Sequence, residues 1–281
     1  YFDYNIGQHT WFRTGGNAKI FALIENNSEL EIILNEIKNE NFYVLGSGSN
    51  LLIRDKGYDG TVIKLGKSFS AIKITEDSLE VGASALDVNL SNFAYKNNIK
   101  DFEFFSGIPG SIGGAIKMNA GCFGGETKDN IRSIEIYNSH YEKKTILKKD
   151  IEFSYRSSNI KQNEIISKAI FNYNYGDTDL IKQKIKNIKN KRLSTQPIQK
   201  RTSGSTFKNP PNLFAAKLIE ESGCKGLTYG NAYVSNKHAN FLMNNGKANA
   251  NDIENLGKII IDKVYGKFNI KLEWEIKIIG E

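Results

Sequence analysis

The chain contains little cysteine and little histidine. Its 281 residues include two cysteines, Cys122 and Cys224, and three histidines, His9, His140 and His238. Two distant cysteines form neither a disulfide framework nor a paired metal motif, and the histidines lie too far apart for a local metal site. We therefore expect no metal site, and a reducing compartment such as the cytoplasm.

The sequence also lacks a long apolar run. No stretch of about 18 apolar residues occurs, so we expect no membrane span. The opening residues, YFDYNIGQHTWF, have no basic segment before an apolar core and do not predict a signal peptide. Hydrophobic residues make up 40% and charged residues 25%, which is typical of a soluble globular protein, and the length fits about two domains.

Positive charge is in excess. Lys and Arg number 38 against 31 Asp and Glu, a net charge of +7. Such an excess fits a nucleic-acid surface, a positive groove for an anionic small molecule, or solvated helix faces. The last is favoured over nucleic acid, because the chain has no recognition motif and no basic stripe interleaved with aromatic residues.

Hydrophobic periodicity predicts a mixed α+β protein. Helices and strands alternate without a regular β-α-β rhythm, which argues against a doubly wound sheet. A basic amphipathic helix over 179–192 is predicted to link the region 1–178 to a smaller region 193–281. Helical spacing is present at 26–41 (with Ser28 as N-cap), 85–98, 177–193, 212–223 and 252–268, and alternation predicts a hairpin at 71–84 and a last strand at 269–279.

Two glycine-rich segments, GSGSNL (46–51) and SGIPGSIGGAIKMNAG (106–121), require a backbone that turns sharply or approaches something closely. The first is not a dinucleotide fingerprint, because Leu51 replaces the third glycine and a strand follows. The segment GKS (66–68) is not a P-loop, because that motif requires a glycine at position 61, where this chain has Thr61. The two turns could hold a pyrophosphate through backbone N–H groups and serine hydroxyls, or they could be ordinary tight turns.

Seven stretches in a fixed order resemble the UDP-N-acetylenolpyruvoylglucosamine reductase family: HTWFRTGG, VLGSGSNLLIRD, SGIPGSIGGAIKMNAG, FSYRSS, GSTFKNP, VSNKHANF and LEWEIKIIG. The resemblance implies an FAD-binding PCMH-type domain of the vanillyl-alcohol-oxidase group over 1–178, with subdomains of about 1–65 and 66–178. It also implies a C-terminal substrate domain over 193–281. The short spacing between SYRSS and GSTFKNP resembles the family's second type, which lacks a tyrosine-bearing loop.

The same resemblance implies an enzyme of peptidoglycan precursor synthesis. It would reduce UDP-N-acetylglucosamine-enolpyruvate (UDP-GlcNAc-enolpyruvate) to UDP-N-acetylmuramate, with NADPH as reductant and non-covalent FAD as cofactor, and we expect a monomer. A related flavin oxidase that uses O₂ is the alternative, although GSTFKNP and Glu275 would have no purpose there.

Matches to the family motifs imply the site residues. Arg156 and Glu275 would stabilise an enolate-like charge, Glu275 with a raised pKa, and Ser205 would protonate the neighbouring carbon. Substrate contacts are expected from the same matches at Tyr155, Arg192, Asn209 and His238, and we add Lys208 as an electrostatic candidate.

The implied FAD contacts come from the two glycine-rich segments. Residues 107–114 are expected to wrap the pyrophosphate opposite residues 46–50, and 119–121 are expected beside the flavin ring. The full set is Gly46, Ser47, Gly48, Ser49, Asn50, Leu51, Gly107, Ile108, Pro109, Gly110, Gly113, Gly114, Ala115, Asn119, Ala120 and Gly121.

Overall fold

A computed structural model describes residues 1–37, 40–138 and 142–281. His140 therefore lies outside the described residues. Helices and strands are mixed along the chain, which confirms the predicted α+β class. The helices are α1 (Asn27–Glu36), α2 (Asp87–Lys96), α3 (Ile112–Lys117), α4 (Thr127–Asn130), α5 (Thr178–Thr195), α6 (Ala215–Glu221) and α7 (Ala250–Phe268).

Most strands are short. They are β1 (Phe2–Asn5), β2 (Asn17–Ile24), β3 (Phe42–Val44), β4 (Leu51–Ile53), β5 (Tyr58–Leu65), β6 (Ile72–Ile74), β7 (Leu79–Gly82), β8 (Ile99–Lys100), β9 (Gly121–Cys122), β10 (Gly125–Glu126), β11 (Ile131–Tyr137), β12 (Lys143–Leu147), β13 (Phe153–Ser154), β14 (Ser157–Ser158), β15 (Ile165–Phe171), β16 (Asn174–Tyr175), β17 (Thr228–Tyr229), β18 (Ala232–Val234), β19 (Leu242–Asn244) and β20 (Lys277–Ile279).

The chain divides into two compact units, each built from separate stretches of sequence. The C-terminal unit comprises residues 1–20, 48–59 and 192–281, and the central unit comprises residues 21–47 and 60–191. The boundary at 192 coincides with the end of the predicted linking helix. The division differs from a contiguous first domain over 1–178, because residues 1–20 and 48–59 fold with the C-terminal stretch.

The C-terminal unit is built around α7. Its core includes Phe12, Leu52, Phe207 and Leu256. The parallel pairing of β4 with β20 joins residues more than 220 positions apart, and β17, β18 and β19 form an antiparallel sheet. The Asn249 side chain accepts a hydrogen bond from the Asp252 backbone N–H at 2.7 Å, as an N-cap does.

The central unit is built around a five-stranded sheet. Its strand order is β12-β11-β15-β7-β6, and β3 pairs in parallel with β5 elsewhere in the unit. The predicted hairpin at 71–84 is confirmed as β6 and β7, which pair antiparallel. Helix α5 buries Ile181, Ile185 and Ile188 on one stripe, as its periodicity predicts, whereas Leu180 is exposed.

Two local predictions were wrong. The N-cap of α1 is Asn26, whose side chain accepts a hydrogen bond from the Glu29 N–H at 2.9 Å, rather than Ser28. The last strand spans only Lys277–Ile279. Asn269 adopts a left-handed conformation that ends α7, and the chain after it pairs irregularly, with a single bridge from Trp274 to Phe207.

Two glycines of α7 should respond in opposite ways to alanine. A Cβ at Gly257 would overlap the Trp274 indole, whereas a Cβ at Gly266 meets nothing within 4 Å. Alanine normally stabilises a helix interior by about 1 kcal/mol relative to glycine. We expect Gly266→Ala to raise the free energy of unfolding by about 0.5–1 kcal/mol and Gly257→Ala to lower it by about 1–3 kcal/mol. Urea denaturation measures both, and equal effects would contradict the packing of Trp274 on α7.

Candidate functional site

The two glycine-rich segments meet in the central unit at Gly46 and Ser111. A Cβ built at Gly46 would lie 2.6 Å from the Ser111 Oγ, so this approach requires glycine. The loop that contains Ser111 is held by the segment after β7 through three backbone hydrogen bonds: Asp87 N to Gly110 O (3.1 Å), Ile112 N to Ala85 O (2.9 Å) and Gly113 N to Ala83 O (2.8 Å). The predicted approach of the two loops is thus present at Gly46.

Gly114 differs from the glycines around it. A Cβ there would meet only the Ser111 Oγ, at 3.7 Å, and the residue is exposed. Its φ does not lie in the left-handed region, and a glycine inside a helix costs about 1 kcal/mol relative to alanine. Protein packing therefore gives no reason for glycine at this position, whereas space for a bound molecule does. We call the surface formed by Gly46, Ser111 and Gly114 the cradle, and its open space fits FAD.

Three of the predicted FAD contacts have side chains that face the protein. Ala115 and Ala120 are buried in the core, and the Ala120 N–H donates to the Ala115 carbonyl at 2.7 Å. The Asn119 side chain is fully buried, and its oxygen and nitrogen are both bonded to protein groups. The side chains of these three residues can shape the loop but are not available to a ligand.

An acid lies directly beneath the second loop. Asp87 is fully buried, and its carboxyl oxygens have no hydrogen-bond partner among the described residues. A Cβ at Gly110 would lie 2.5 Å from its Oδ2. Burial raises the pKa of the Asp87 carboxyl well above its usual value. A protonated Asp87 places no negative charge next to a loop suited to an anion.

Asp87 should make the folded protein less stable as the pH rises. Its folded-state pKa is raised, so the folded state retains a proton that the unfolded chain releases once the pH exceeds the ordinary value near 4. Asp87→Asn should remove this loss. Relative to wild type, its free energy of unfolding should gain about 1.4 kcal/mol for each pH unit between about pH 4 and the folded-state pKa of Asp87, and nothing below about pH 4. Urea denaturation between pH 4 and pH 8 measures it, with exposed Asp262→Asn as control. A difference that does not vary with pH would contradict the prediction.

Tyr155 and Arg156 form the turn of the β13-β14 hairpin in the central unit. Arg156 has a φ of +55°, in the left-handed region that is uncommon for side chains larger than asparagine. Its Nη2 donates to the Gly121 carbonyl at 2.7 Å, and its guanidinium lies 4.8 Å from the centroid of the half-exposed Tyr155 ring. A strained, fixed cation at this turn is typical of a functional site.

Ser205 and Glu275 are brought together in the C-terminal unit by an irregular antiparallel pairing. The Glu275 N–H donates to the Thr206 carbonyl at 2.8 Å, and the Lys208 N–H donates to the Glu273 carbonyl at 2.9 Å. Glu275 therefore lies opposite the residue that follows Ser205. The Asn50 side chain donates to the Glu275 carbonyl at 3.0 Å, which adds a second contact to the Glu275 backbone.

The remaining predicted substrate residues also lie in the C-terminal unit. Lys208 Nζ is 3.2 Å from Glu273 Oε2. The Asn209 Oδ1 accepts the Ala215 N–H at 3.0 Å, ahead of α6, and Arg192 Nε donates to Gln196 at 3.2 Å. These bonds orient the three side chains.

His238 is an exception among these residues. Burial lowers the pKa of its imidazole, and its Nδ1 has no hydrogen-bond partner among the described residues. The ring is therefore neutral near pH 7, and its Nδ1 is buried. This agrees with a binding role rather than an acid–base role.

Sequence reasoning did not identify three contacts that shape the site. These are the packing of Trp274 on Gly257, the bond from Asn50 to Glu275, and the bond from Asn119 to Ser154 of the Arg156 hairpin. Each joins residues that are remote in sequence or opposite in a register that the pattern does not reveal. The only signal in the sequence was that Asn50 and Asn119 stand in glycine-rich segments, and both residues were predicted to contact the cofactor.

Within the described residues, no group of three or more His, Cys, Asp or Glu side chains is placed to hold a metal ion. In the same residues, no helix combines the length and the apolar character that crossing a bilayer requires.

Comparisons with known proteins agree with this geometry. Residues 18–140 match the FAD binding domain, and residues 196–279 match the UDP-N-acetylenolpyruvoylglucosamine reductase C-terminal domain. The UDP-N-acetylenolpyruvoylglucosamine reductases of Rickettsia conorii and Rickettsia prowazekii are 45% and 43% identical to this chain, over 99% of it and 95% of theirs. The crystal structure of the reductase (MurB) from Thermus caldophilus matches with a TM-score of 0.87 and 30% identity, covering 98% of this chain and 97% of that one. The predicted fold type is thereby confirmed.

Proposed function

Because this chain belongs to the UDP-N-acetylenolpyruvoylglucosamine reductase family, we propose that it reduces UDP-GlcNAc-enolpyruvate to UDP-N-acetylmuramate in peptidoglycan precursor synthesis. The observation that carries the proposal is 45% identity to a reductase over 99% of this chain and 95% of the relative. FAD, when bound, would supply a hydride carrier between NADPH and the enolpyruvyl double bond. The relatives give no support to an oxidase or to a nucleic-acid-binding protein.

Arg156 is proposed to stabilise the negative charge that develops beside the substrate carboxylate. A fixed guanidinium needs little reorganisation when the charge appears, which is the main source of electrostatic catalysis. Its bond to the Gly121 carbonyl and its strained turn support this role, because both restrict where the cation can lie. Tyr155, which packs against it, is proposed to contact the substrate.

Ser205 is proposed to donate a proton to the carbon next to the one that receives the hydride. The Ser205 backbone is held in the fold by a β-bridge to Phe241, and Glu275 lies opposite the following residue, Thr206. Glu275 is proposed to assist at the same centre as a protonated or hydrogen-bonded acid, because an ionised carboxylate would repel the developing charge. The raised pKa expected for Glu275 stays a prediction.

Lys208, Asn209, Arg192 and His238 are proposed to bind the substrate. Lysine and arginine suit a diphosphate, and a neutral imidazole suits a hydrogen bond to a sugar or uracil group. The lowered pKa of His238 supports this choice, since the ring carries no charge at neutral pH.

The proposed function is tested on purified protein. We expect a yellow protein that consumes NADPH only when UDP-GlcNAc-enolpyruvate is added, with UDP-N-acetylmuramate identified by mass. Colourless protein that FAD does not reconstitute, or NADPH consumption with O₂ alone, would overturn the proposal. A monomer and a cytoplasmic location are proposed with it, and light scattering of the holoenzyme tests the first.

A further inference from the structure

Asn119 is a buried junction between two segments of the central unit. Its Nδ2 donates to the Ser154 carbonyl at 3.0 Å and to Glu126 Oε2 at 3.1 Å, while its Oδ1 accepts the Lys128 N–H at 3.1 Å. An amide side chain has two donor hydrogens and two acceptor sites, so three of the four are filled. The residue also has a positive φ of +43°. Asn119 therefore joins the Arg156 hairpin to the junction of β10 and α4 at 126–128.

These bonds close a ring around Arg156. Ser154 is two residues before Arg156 on the hairpin, and the Arg156 guanidinium donates to the Gly121 carbonyl at 2.7 Å. Gly121 pairs with Glu126 in the β9-β10 ladder, and Glu126 accepts the bond from Asn119. The backbone before Arg156 and the far end of its side chain are thus fixed by one set of residues.

Glu126 adds charge to this ring. Burial alone would raise the pKa of its carboxyl, but hydrogen bonds from Lys128 and Asn119 and the charges of Lys128 and Arg156 outweigh it, so the pKa lies below its usual value. The carboxyl is ionised at neutral pH, and Lys128 Nζ lies 2.7 Å from its Oε2. A half-buried carboxylate next to a guanidinium restricts the directions in which that cation can point.

We propose that Asn119 and Glu126 are positioning residues for Arg156, which hold its guanidinium where the substrate's developing charge appears. The inference rests on the proposed function, because it assigns Arg156 to that charge. Asn119 acts through hydrogen bonds to the hairpin, and Glu126 acts through charge and through its bond to Asn119. Neither side chain needs to touch the cofactor or the substrate.

A double-mutant cycle on the holoenzyme tests the proposal. Stopped-flow spectroscopy follows reduction of FAD by NADPH and then its reoxidation by UDP-GlcNAc-enolpyruvate. We expect Arg156→Ala to slow reoxidation by about 10²–10³-fold and Asn119→Ala to slow it by about 10²-fold, the effect of a catalytic group displaced by about 1 Å. In the Arg156→Ala background, Asn119→Ala should cost less than about threefold, because the group that it positions is gone.

Glu126→Gln provides a second cycle if Asn119→Ala loses FAD or fails to fold. The glutamine retains an oxygen for Asn119 and removes only the charge, so we expect a loss of about tenfold that disappears with Arg156→Ala. Asn130→Ala is the matched amide control, since it also removes one bond to a backbone carbonyl, that of Asp101. Glu135→Gln is the matched acid control, a half-buried glutamate paired with two lysines.

The outcomes distinguish the positioning role of Asn119 and Glu126 from the proposed function. FAD content and reduction by NADPH should stay within about twofold of wild type in both positioning variants. Losses that multiply independently of Arg156, or equal losses in the two half-reactions, would overturn the positioning role. A wild-type enzyme that contains FAD but is not reoxidised by the substrate would instead overturn the proposed function.

Discussion

Ser205→Ala should leave the reduction of FAD by NADPH within about twofold of wild type and slow reoxidation by UDP-GlcNAc-enolpyruvate by about 10²–10⁴-fold. That range is typical when one positioned general acid is removed. The effect should fall on one half-reaction because only the second requires a proton on carbon. The Ser205 backbone remains paired with Phe241 whichever side chain is present, so the fold should not change.

Stopped-flow flavin absorbance measures the two half-reactions separately. Ser222→Ala is the control, because it also removes one serine hydroxyl, which lies at the end of α6 and has no hydrogen-bond partner among the described residues. We expect this variant to behave as wild type in both steps. Equal losses in the two half-reactions of Ser205→Ala would show that Ser205 acts in binding or structure rather than as the acid.

Local patterns predicted α1, α2, α5, α6 and α7, because each depends on residues within a few turns, but they did not predict the short helices α3 and α4. The apolar stripe of α5 lies where the spacing puts it, and Gly223 after α6 has the positive φ that is typical of a glycine at a helix C-terminus. Parallel pairing of β4 with β20 could not be predicted in the same way, since nothing near Leu52 in sequence indicates Ile278 as its partner. The inclusion of residues 1–20 and 48–59 in the C-terminal unit follows from such distant contacts.

Only part of the site was predicted, because the contacts that assemble it also join residues that are distant in sequence. Motifs identified Ser205 and Glu275 separately, but their adjacency depends on the register between residues 206–208 and 273–275. The resemblance to the reductase family implied a cofactor contact at Asn119, whereas the structure turns its side chain into the protein. A motif gives a residue's type and place in the chain, and the direction of its side chain depends on the packing around it.

Gly114→Leu should abolish most FAD binding without weakening the apoprotein. Leucine is a good helix former, so replacing a helical glycine should raise the free energy of unfolding of the apoprotein by up to about 1 kcal/mol. A Cβ at Gly114 clears the protein, with Ser111 Oγ at 3.7 Å as its nearest neighbour. The added side chain would instead fill the space that we assign to FAD. A steric overlap that costs about 3 kcal/mol corresponds to a loss in FAD affinity of about 100-fold.

Titration of apoprotein with FAD and urea denaturation of the same sample distinguish a cofactor role from a packing role. Gly266→Leu makes the same change at an exposed glycine of α7 with nothing within 4 Å, and it should bind FAD as wild type does. Gly110→Leu provides the contrast, because its side chain would meet the buried Asp87 carboxyl and should lower stability as well as FAD affinity. If Gly114→Leu binds FAD normally, the exposed face of α3 does not form the cradle. If it unfolds, an unrecognised packing constraint accounts for the glycine, and the loop's assignment to FAD would then depend on the approach of Gly46 to Ser111 alone.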